Sequence, residues 1–208
     1  MPKRRVPATR PRKQPAQARS SELVEAILQA AIRVLETEGA ARFTTIRVAE
    51  AAGVSVGSLY QYFPNKHAIL FQLQRREWQE TGAILEALLD DQSKPPAERL
   101  HATMRAFFRS ECAEAPLRLA LDEAASAYRD SPEAISHRGR SSAMIARFTL
   151  AAAPNATKAE REFLGELLVA TMSSLGKDVS ERDPNMKAID RWAAATADML
   201  LGYFAKYA

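Results

Sequence analysis

The spacing of apolar residues is the feature that most limits what this chain can fold into. From Ser21 onward, apolar side chains recur three, four and seven positions apart, which places them on one face of a helix. The spacing continues downstream between breaks at glycine and proline, and no useful length of chain alternates between apolar and polar residues. The sequence therefore predicts an all-α chain of about nine helices with no internal repeat.

Composition excludes several classes of protein. No apolar run reaches the ~18 residues that a membrane-spanning helix requires, so we expect no association with a membrane. The single cysteine, Cys112, excludes an internal disulfide and a zinc or iron–sulfur site built from cysteines. The three histidines do not have metal-ligand spacing, so we expect neither a metal nor a cofactor. The expected location is cytoplasmic.

The first 20 residues carry seven of the 29 basic residues and no acidic residue, so this tail has a charge of +7. The rest of the chain holds 22 basic against 25 acidic residues, which leaves it at −3. Four prolines in the tail prevent a regular helix, so we expect a solvated, disordered extension over residues 1–20. The same charge fits a basic arm beside nucleic acid, and both interpretations can hold together.

The stretch from Thr44 to Lys66 predicts two short helices joined by a tight turn at Gly53. Glycine suits such a turn because it accepts a positive φ without a clash at Cβ. With the apolar residues of the second helix directed into a core, the helical period turns the others outward, namely Gly57, Ser58 and Gln61, flanked by Tyr60 and Tyr62. Small and hydrogen-bonding side chains of this kind suit base edges in a DNA major groove.

Phosphate contacts are predicted around that outward face. The polar side chains that can reach the DNA backbone are Thr45, Arg47, Tyr62 and Lys66. Contacts of this kind set the register of a protein on the duplex rather than its sequence preference. The amide end of the fourth helix, beside Lys66, is a further predicted phosphate site.

The string AGVSxGSLYxYFxNK, preceded by two threonines and by an amphipathic first helix, resembles the DNA-binding domain of the tetracycline-repressor (TetR) family. The resemblance covers roughly Ala26 to Phe71. It implies a three-helix domain that reads DNA, followed by a larger helical domain that dimerises and binds a small molecule. The DNA-contacting positions that it implies, with the capping residue Ser55 added, are Thr45, Arg47, Val56, Gly57, Ser58, Tyr60, Gln61, Tyr62 and Lys66.

We accordingly expect three parts: a basic tail over residues 1–20, a helix-turn-helix domain over 21–71, and a ligand-binding and dimerisation domain over 72–208. Most apolar side chains of the last part are core residues, but some can line a cavity, because the space between helices of a bundle is a common ligand site. The candidate ligand-binding residues are Trp78, Met104, Phe107, Phe108, Cys112, Leu121 and Tyr128. Charged residues of both signs flank them, so the charge of a ligand stays open.

The last two predicted helices are apolar over more than one stripe. One face can serve the core of the subunit while the second meets a partner subunit. Trp192, Met199 and Tyr203 recur on one side of the final helix, and the small residues Ala197 and Gly202 allow close packing. We therefore expect a homodimer that forms through these two helices.

These features predict a homodimeric repressor that binds palindromic double-stranded DNA and is released by a small apolar or aromatic effector of unknown identity. The alternative is a DNA-binding regulator without such an effector, which is controlled by a protein partner or acts as an activator. An architectural nucleoid protein ranks third, because a base-reading motif would be superfluous there. We do not expect an enzyme, since no phosphate loop, nucleophile elbow or acid–base pair stands out.

Overall fold

A computed structural model describes residues 18–121 and 131–208. Within these two ranges the chain forms nine α-helices, two short 3-10 helices and no strand, which confirms the all-α prediction. The α-helices are α1 (Ala18–Glu38), α2 (Thr45–Ala52), α3 (Val56–Tyr62), α4 (Lys66–Leu89), α5 (Pro96–Ala113), α6 (Ala115–Leu121), α7 (Pro132–Ala152), α8 (Lys158–Ser180) and α9 (Met186–Phe204). The 3-10 helices are Ala40–Arg42 and Ala205–Tyr207.

Side-chain caps define the starts of several helices, as the sequence predicts. The Ser55 hydroxyl accepts a hydrogen bond from the Ser58 amide at 3.0 Å, and the Asn65 side chain accepts one from the Ala68 amide at 2.9 Å. The spacing of Thr157 and Glu160 predicts a capping box, and the two residues form one at the start of α8. These caps satisfy amides that a helix cannot pair internally, so the polar side chains mark the starts of the helices.

The sequence predicts a cap at Thr45, a cap at Asp183 directly before Pro184, and a tail that ends at Ser20, and the structure differs at all three boundaries. The cap of α2 is Thr44, whose hydroxyl accepts from the Arg47 amide at 3.2 Å, whereas Thr45 is the first helical residue. The cap of α9 is Asn185 rather than Asp183, which adopts a φ of 49° outside the helix. Residues 18–20, assigned to the tail, belong to the first turn of α1, because the last tail proline lies three residues earlier.

The described chain divides into two compact units, and the first contains the described residues up to Glu77 together with 116–121 and 131–135. In this unit α1 packs against α2, and α2 against α3. The fully buried core side chains include Ile27, Val48, Leu59, Phe63 and Ile69. The expected domain boundary at Phe71 stays a prediction, and the packing divides α4 after Glu77.

The second unit comprises Trp78–Ala115 and Ser136–Ala208. Here α5 packs against both α8 and α9. Gly176 allows the close approach of α8 to α5, because a Cβ at this position would lie 2.8 Å from the ring of Phe107. The most deeply buried side chains of this core are Leu89, Leu100, Met104, Phe108, Phe148, Leu164, Leu168 and Phe204.

Candidate nucleic-acid interface

The turn between α2 and α3 takes its shape from Gly53. This residue adopts the left-handed conformation, with φ 67° and ψ 30°, and its amide donates to the carbonyls of Ala49 and Glu50. The amide of Val54 also donates to Ala49, at 3.0 Å. Together these bonds close the end of α2 while the chain reverses into α3. A side chain at residue 53 would be strained, which explains why the sequence has glycine there.

The inward face of α3 joins the core of the first unit. Leu59 and Phe63 are fully buried, as predicted, and so is Val48 of α2. Tyr62 is only 8% exposed, so its ring lies mostly inside the unit rather than beside the outward face. The sequence interpretation of Tyr62 as an outward-flanking residue was therefore wrong, because α3 buries a wider stripe than Leu59 and Phe63 alone define.

The outward face of α3 presents Gly57, Tyr60 and Gln61, which are all exposed. Ser58 and Val56 are half-buried. The Ser58 hydroxyl lies 2.8 Å from the Ser55 hydroxyl, so the two serines are hydrogen-bonded to each other at the start of the helix. Gln61 is exposed, and its amide can both donate and accept hydrogen bonds, so it is available for base edges on this face.

A side-chain hydrogen bond joins α2 to α3 beside this face. The hydroxyls of Thr45 and Tyr60 lie 3.1 Å apart, and Thr45 is buried while Tyr60 is 39% exposed. Both residues are predicted DNA contacts. The bond restricts the direction of the Tyr60 ring and so favours a fixed contact of Tyr60 with DNA. Thr45 is buried and bonded to Tyr60, so it is less suited to a contact of its own.

Two cations flank the helix-turn-helix. Arg47 lies in the first turn of α2, and its Nη1 is 2.8 Å from Oε2 of Glu38, the last residue of α1. Lys66 is half-buried and is the first residue of α4, which Asn65 caps. Sequence reasoning missed Glu38, although a carboxylate directly before Gly39, and hence at the end of a helix, was the available signal.

Four of the seven candidate ligand-binding residues lie together in the second unit. Met104 and Phe108 are fully buried in its core, and Phe107 and Cys112 pack against that core from partly buried positions. The rings of Phe107 and Phe108 meet edge to face, with centroids 6.0 Å apart. All four belong to α5, so one helix supplies this apolar group.

The other three candidates lie elsewhere. Trp78 is half-buried in the second unit and stacks on His137, with ring centroids 4.8 Å apart. Leu121 ends α6 in the first unit, but its side chain is not among those described. Tyr128 lies outside the described residues. The ligand-binding role of the seven residues stays a prediction, and the described structure brings only four of them together.

The described residues contain neither a metal site nor a membrane-spanning helix. Over 18–121 and 131–208, no three histidine, cysteine, aspartate or glutamate side chains gather in a way that could hold a metal ion. In the same part of the chain, no helix is long and apolar enough to cross a membrane.

Comparison with protein families identifies the two parts of the chain. The family described as "Bacterial regulatory proteins, tetR family" matches residues 27–73, which include the helix-turn-helix. The family described as "Tetracyclin repressor-like, C-terminal domain" matches residues 95–207, more than half of the chain. The chain belongs to the TetR family. It is therefore a DNA-binding transcriptional regulator of the helix-turn-helix type, as the motif predicts.

Sequence relatives of this TetR-family chain match it in part. The nucleoid occlusion factor SlmA of Vibrio atlanticus (strain LGP32) is 35% identical over 91 residues, which are 43% of this chain and 46% of SlmA. An uncharacterized HTH-type transcriptional regulator of Haemophilus influenzae is 33% identical over 75 residues, 36% of this chain and 40% of that protein. The chain thus matches less than half the length of these curated relatives.

Solved structures match over most of the length. The fatty acid degradation regulator FadR of Bacillus halodurans has a TM-score of 0.69 at 17% identity, over 91% of this chain and 97% of FadR. A TetR-family transcriptional regulator of Haemophilus influenzae Rd has a TM-score of 0.53 at 18% identity, over 88% and 98%. A complex of SmeT with triclosan has a TM-score of 0.58 at 19% identity, over 88% and 91%. At these identities the likeness shows the fold alone.

Proposed function

We propose that this TetR-family regulator is a homodimeric repressor that reads a palindromic operator and leaves it when a small apolar or aromatic effector binds. The exposed face of α3 carries the operator-reading part of the proposal. Gln61 and Tyr60 project from a helix that Gly53 and Ser55 hold against α2, and a helix of this kind fits a major groove. Base edges there distinguish all four base pairs, so an amide such as Gln61 can select among them.

Operator selection followed by binding measurements tests this assignment. Gln61→Ala removes a base-edge contact, so we expect it to relax discrimination at one base-pair position by about 1–3 kcal/mol. Lys66→Ala removes a phosphate contact, so we expect weaker binding to all sequences alike and a salt slope reduced by about one. Unchanged preference in Gln61→Ala together with altered preference in Lys66→Ala would contradict the two assigned roles.

The dimer part of the proposal is supported by apolar side chains on the surface of α8 and α9. Phe163 is 51% exposed, Trp192 37% and Met199 56%. The ring of Phe163 meets that of Tyr203, with centroids 6.5 Å apart, so side chains of both helices contribute to one aromatic group. Large exposed aromatic and apolar side chains on neighbouring elements are typical of a surface that another subunit covers.

The effector part of the proposal is supported by the apolar and aromatic group on α5 and by two structural neighbours. One neighbour is a fatty acid degradation regulator, and another is a complex of SmeT with triclosan, which is an aromatic small molecule. The side chains of Phe107 and Cys112 at the edge of the core are the positions that an apolar effector would contact first.

A further inference from the structure

Glu38 occupies an unfavourable position for a carboxylate. It is the last residue of α1, where the helix dipole presents its negative end, and Gly39 turns the chain directly after it. Its Oε2 atom is buried. A buried carboxylate oxygen loses its hydration, so it requires a positive charge or good hydrogen bonds nearby.

Arg47 supplies that positive charge in an imperfect geometry. Its Nη1 lies 2.8 Å from Oε2 of Glu38, but no N–H group is aligned for a hydrogen bond to that oxygen. The contact is therefore the attraction of two opposite charges without the directional bond of a well-formed arginine–carboxylate pair. Such a contact is weaker than an aligned one, and another anion can replace it.

Arg47 is also open to solvent. Its side chain is 48% exposed, against 27% for Glu38, so a ligand can approach the guanidinium from outside without moving the carboxylate. The backbone of Arg47 is held by the Thr44 hydroxyl, which accepts from its amide. The backbone of Arg47 is thus held in place, while its half-exposed side chain is paired with one internal anion.

We propose that Glu38 is a positioning residue that competes with a DNA phosphate for Arg47 and so lowers the affinity for all DNA sequences alike. The inference rests on the proposed function, because it takes Arg47 as a phosphate contact. In free protein Glu38 holds the guanidinium, and on DNA a phosphodiester oxygen takes its place. The free energy needed to break the Glu38–Arg47 pair reduces the binding free energy by the same amount for every DNA sequence.

Glu38→Gln is the direct test, because it removes the charge and nearly keeps the shape. We expect binding to operator and to random DNA to tighten by a similar factor, roughly two- to fivefold, as for the loss of one partly exposed ion pair. Because Arg47 contacts a phosphate in the complexes of both proteins, the slope of log K against log salt should stay nearly the same. Fluorescence anisotropy on both DNAs over a salt series measures the factor and the slope.

A double-mutant cycle separates this mechanism from general charge repulsion. Glu36→Gln is the matched control, since Glu36 is an exposed residue of α1 only two positions away. Arg47→Gln should abolish the gain of Glu38→Gln, because there is then no guanidinium to release. The same background should leave any effect of Glu36→Gln intact. If the gain of Glu38→Gln survives in Arg47→Gln, Glu38 acts at long range and the proposal is overturned.

Two other results would also overturn the proposal. Unchanged DNA affinity in Glu38→Gln means that the pair persists on DNA. If both Glu38→Gln and Glu38→Ala unfold at clearly lower urea concentrations than the unmodified protein does, the pair serves the fold. Failure of the proposed function has a different signature, because the unmodified protein would then show no preference for any DNA sequence. The unmodified protein is therefore compared on operator and random DNA in the same series.

Discussion

At the scale of single residues, the stack of His137 on Trp78 makes the stability of the second unit depend on pH. The two rings are nearly parallel, with an angle of 7° between their planes. Burial lowers the pKa of His137 below its usual 6.5, and the charges of Arg140 and Arg138 lower it further. The folded state therefore holds this imidazole in its neutral form more strongly than the unfolded state does.

The sign of the effect follows from proton binding. As the pH falls through 6.5, the unfolded chain takes up a proton at His137 before the folded protein does, so protonation favours unfolding. We expect His137→Phe, which keeps an aromatic ring against Trp78 but cannot titrate, to lose less stability on acidification than the unmodified protein. Urea unfolding at about pH 7.5 and about pH 5.5 measures the two losses. Equal losses would contradict this assignment.

For single residues, the sequence predicted candidate DNA contacts but not their side-chain partners. The motif identified Thr45, Arg47 and Tyr60 as DNA contacts, and the structure places Thr45 and Arg47 in the first turn of α2 and Tyr60 on the exposed face of α3. Their partners could not be predicted, because the Thr45–Tyr60 bond and the Glu38–Arg47 pair depend on how three helices pack. Side-chain pairing across elements is a tertiary property that periodicity does not contain.

At the scale of elements, local signals predicted the helices well. A capping residue directly before a proline, as in Ser131–Pro132, predicts a helix start, because proline lacks the amide that a first helical residue leaves unpaired. Pro132 does open α7, with Ser131 as its cap. The start of α9 was predicted too early, at Pro184. Asp183 takes a positive φ, and Asn185 provides the cap instead. Because two residues that can cap a helix lie only two positions apart, the sequence alone does not decide which of them does so.

The face of α9 that meets a partner was also predicted only in part. Ala197 was expected to allow close packing between subunits, but it is wholly buried in the core of its own unit. A bulky residue at 197 would therefore unfold the subunit instead of separating two subunits. Gly202 is different, because within the described residues, apart from its chain neighbours and the nearby backbone of its own helix, no atom lies within 4 Å of the place that its Cβ would occupy.

We expect Gly202→Arg to produce monomers that have lost tight operator binding. Arginine favours a helix more than glycine does, so the folded subunit should keep its stability while the charge disrupts an apolar contact between subunits. Gly139→Arg in α7 is the matched control, since Gly139 is another exposed helical glycine with nothing within 4 Å. Sedimentation velocity measures the subunit state, and urea unfolding measures the stability of both variants.

The dimer hypothesis has a clear opposing result. If the unmodified protein sediments as a monomer at micromolar concentration, the exposed apolar side chains of α8 and α9 do not join two subunits. A Gly202→Arg dimer that binds operator normally would place the contact on another part of the surface. Dissociation by Gly139→Arg alone would assign it to α7.

At the scale of the whole molecule, charge is distributed very unevenly along the chain. Residues 21–77, which contain the helix-turn-helix, hold six basic and six acidic residues and are therefore neutral. The net charge of +4 comes from the seven basic residues of positions 1–20, since the remainder sums to −3. A protein that binds a polyanion through a neutral domain gains affinity from any cations attached close to it.

We therefore expect the tail to supply much of the salt dependence of DNA binding. Each tail cation that contacts a phosphate adds about 0.9 to the slope of log K against log salt. Replacing Arg4, Arg5, Arg10 and Arg12 by glutamine should flatten that slope and leave the ratio of operator to random affinity unchanged. The control replaces four cations of the second unit, Lys158, Lys177, Lys187 and Lys206. Equal slopes for the two variants would rule out a direct contribution from the tail.

Coupling between the two units is expected to depend on α4, which has residues in both. α4 begins at Lys66, beside the reading helix, and runs to Leu89 in the second unit without a break. The apolar group on α5 was recognisable from periodicity, because buried faces of helices recur in a fixed register. Periodicity does not distinguish a core residue from one that lines a ligand site, so the effector remains a class rather than a compound.

Release of the operator by an effector makes a reciprocal demand that can be measured. In a dimer the two reading helices must be about 34 Å apart to enter successive turns of the major groove. A shift of α4 that alters this separation weakens operator binding if the effector prefers the shifted conformation. A hundredfold loss of operator affinity corresponds to about 2.7 kcal/mol of coupling, and the operator must then weaken effector binding by the same factor.

We expect calorimetry to find this factor for an aromatic effector identified by a thermal-shift screen. The effector is titrated into the protein alone and into the protein saturated with operator, and the two dissociation constants should differ about as much as the operator affinities do with and without effector. Phe107→Ala should weaken effector binding, while Leu150→Ala, which changes an exposed residue of α7, should not. Equal effector affinities in the two titrations would remove ligand-controlled release and favour control by a protein partner, because a ligand without preference between two conformations cannot shift their populations.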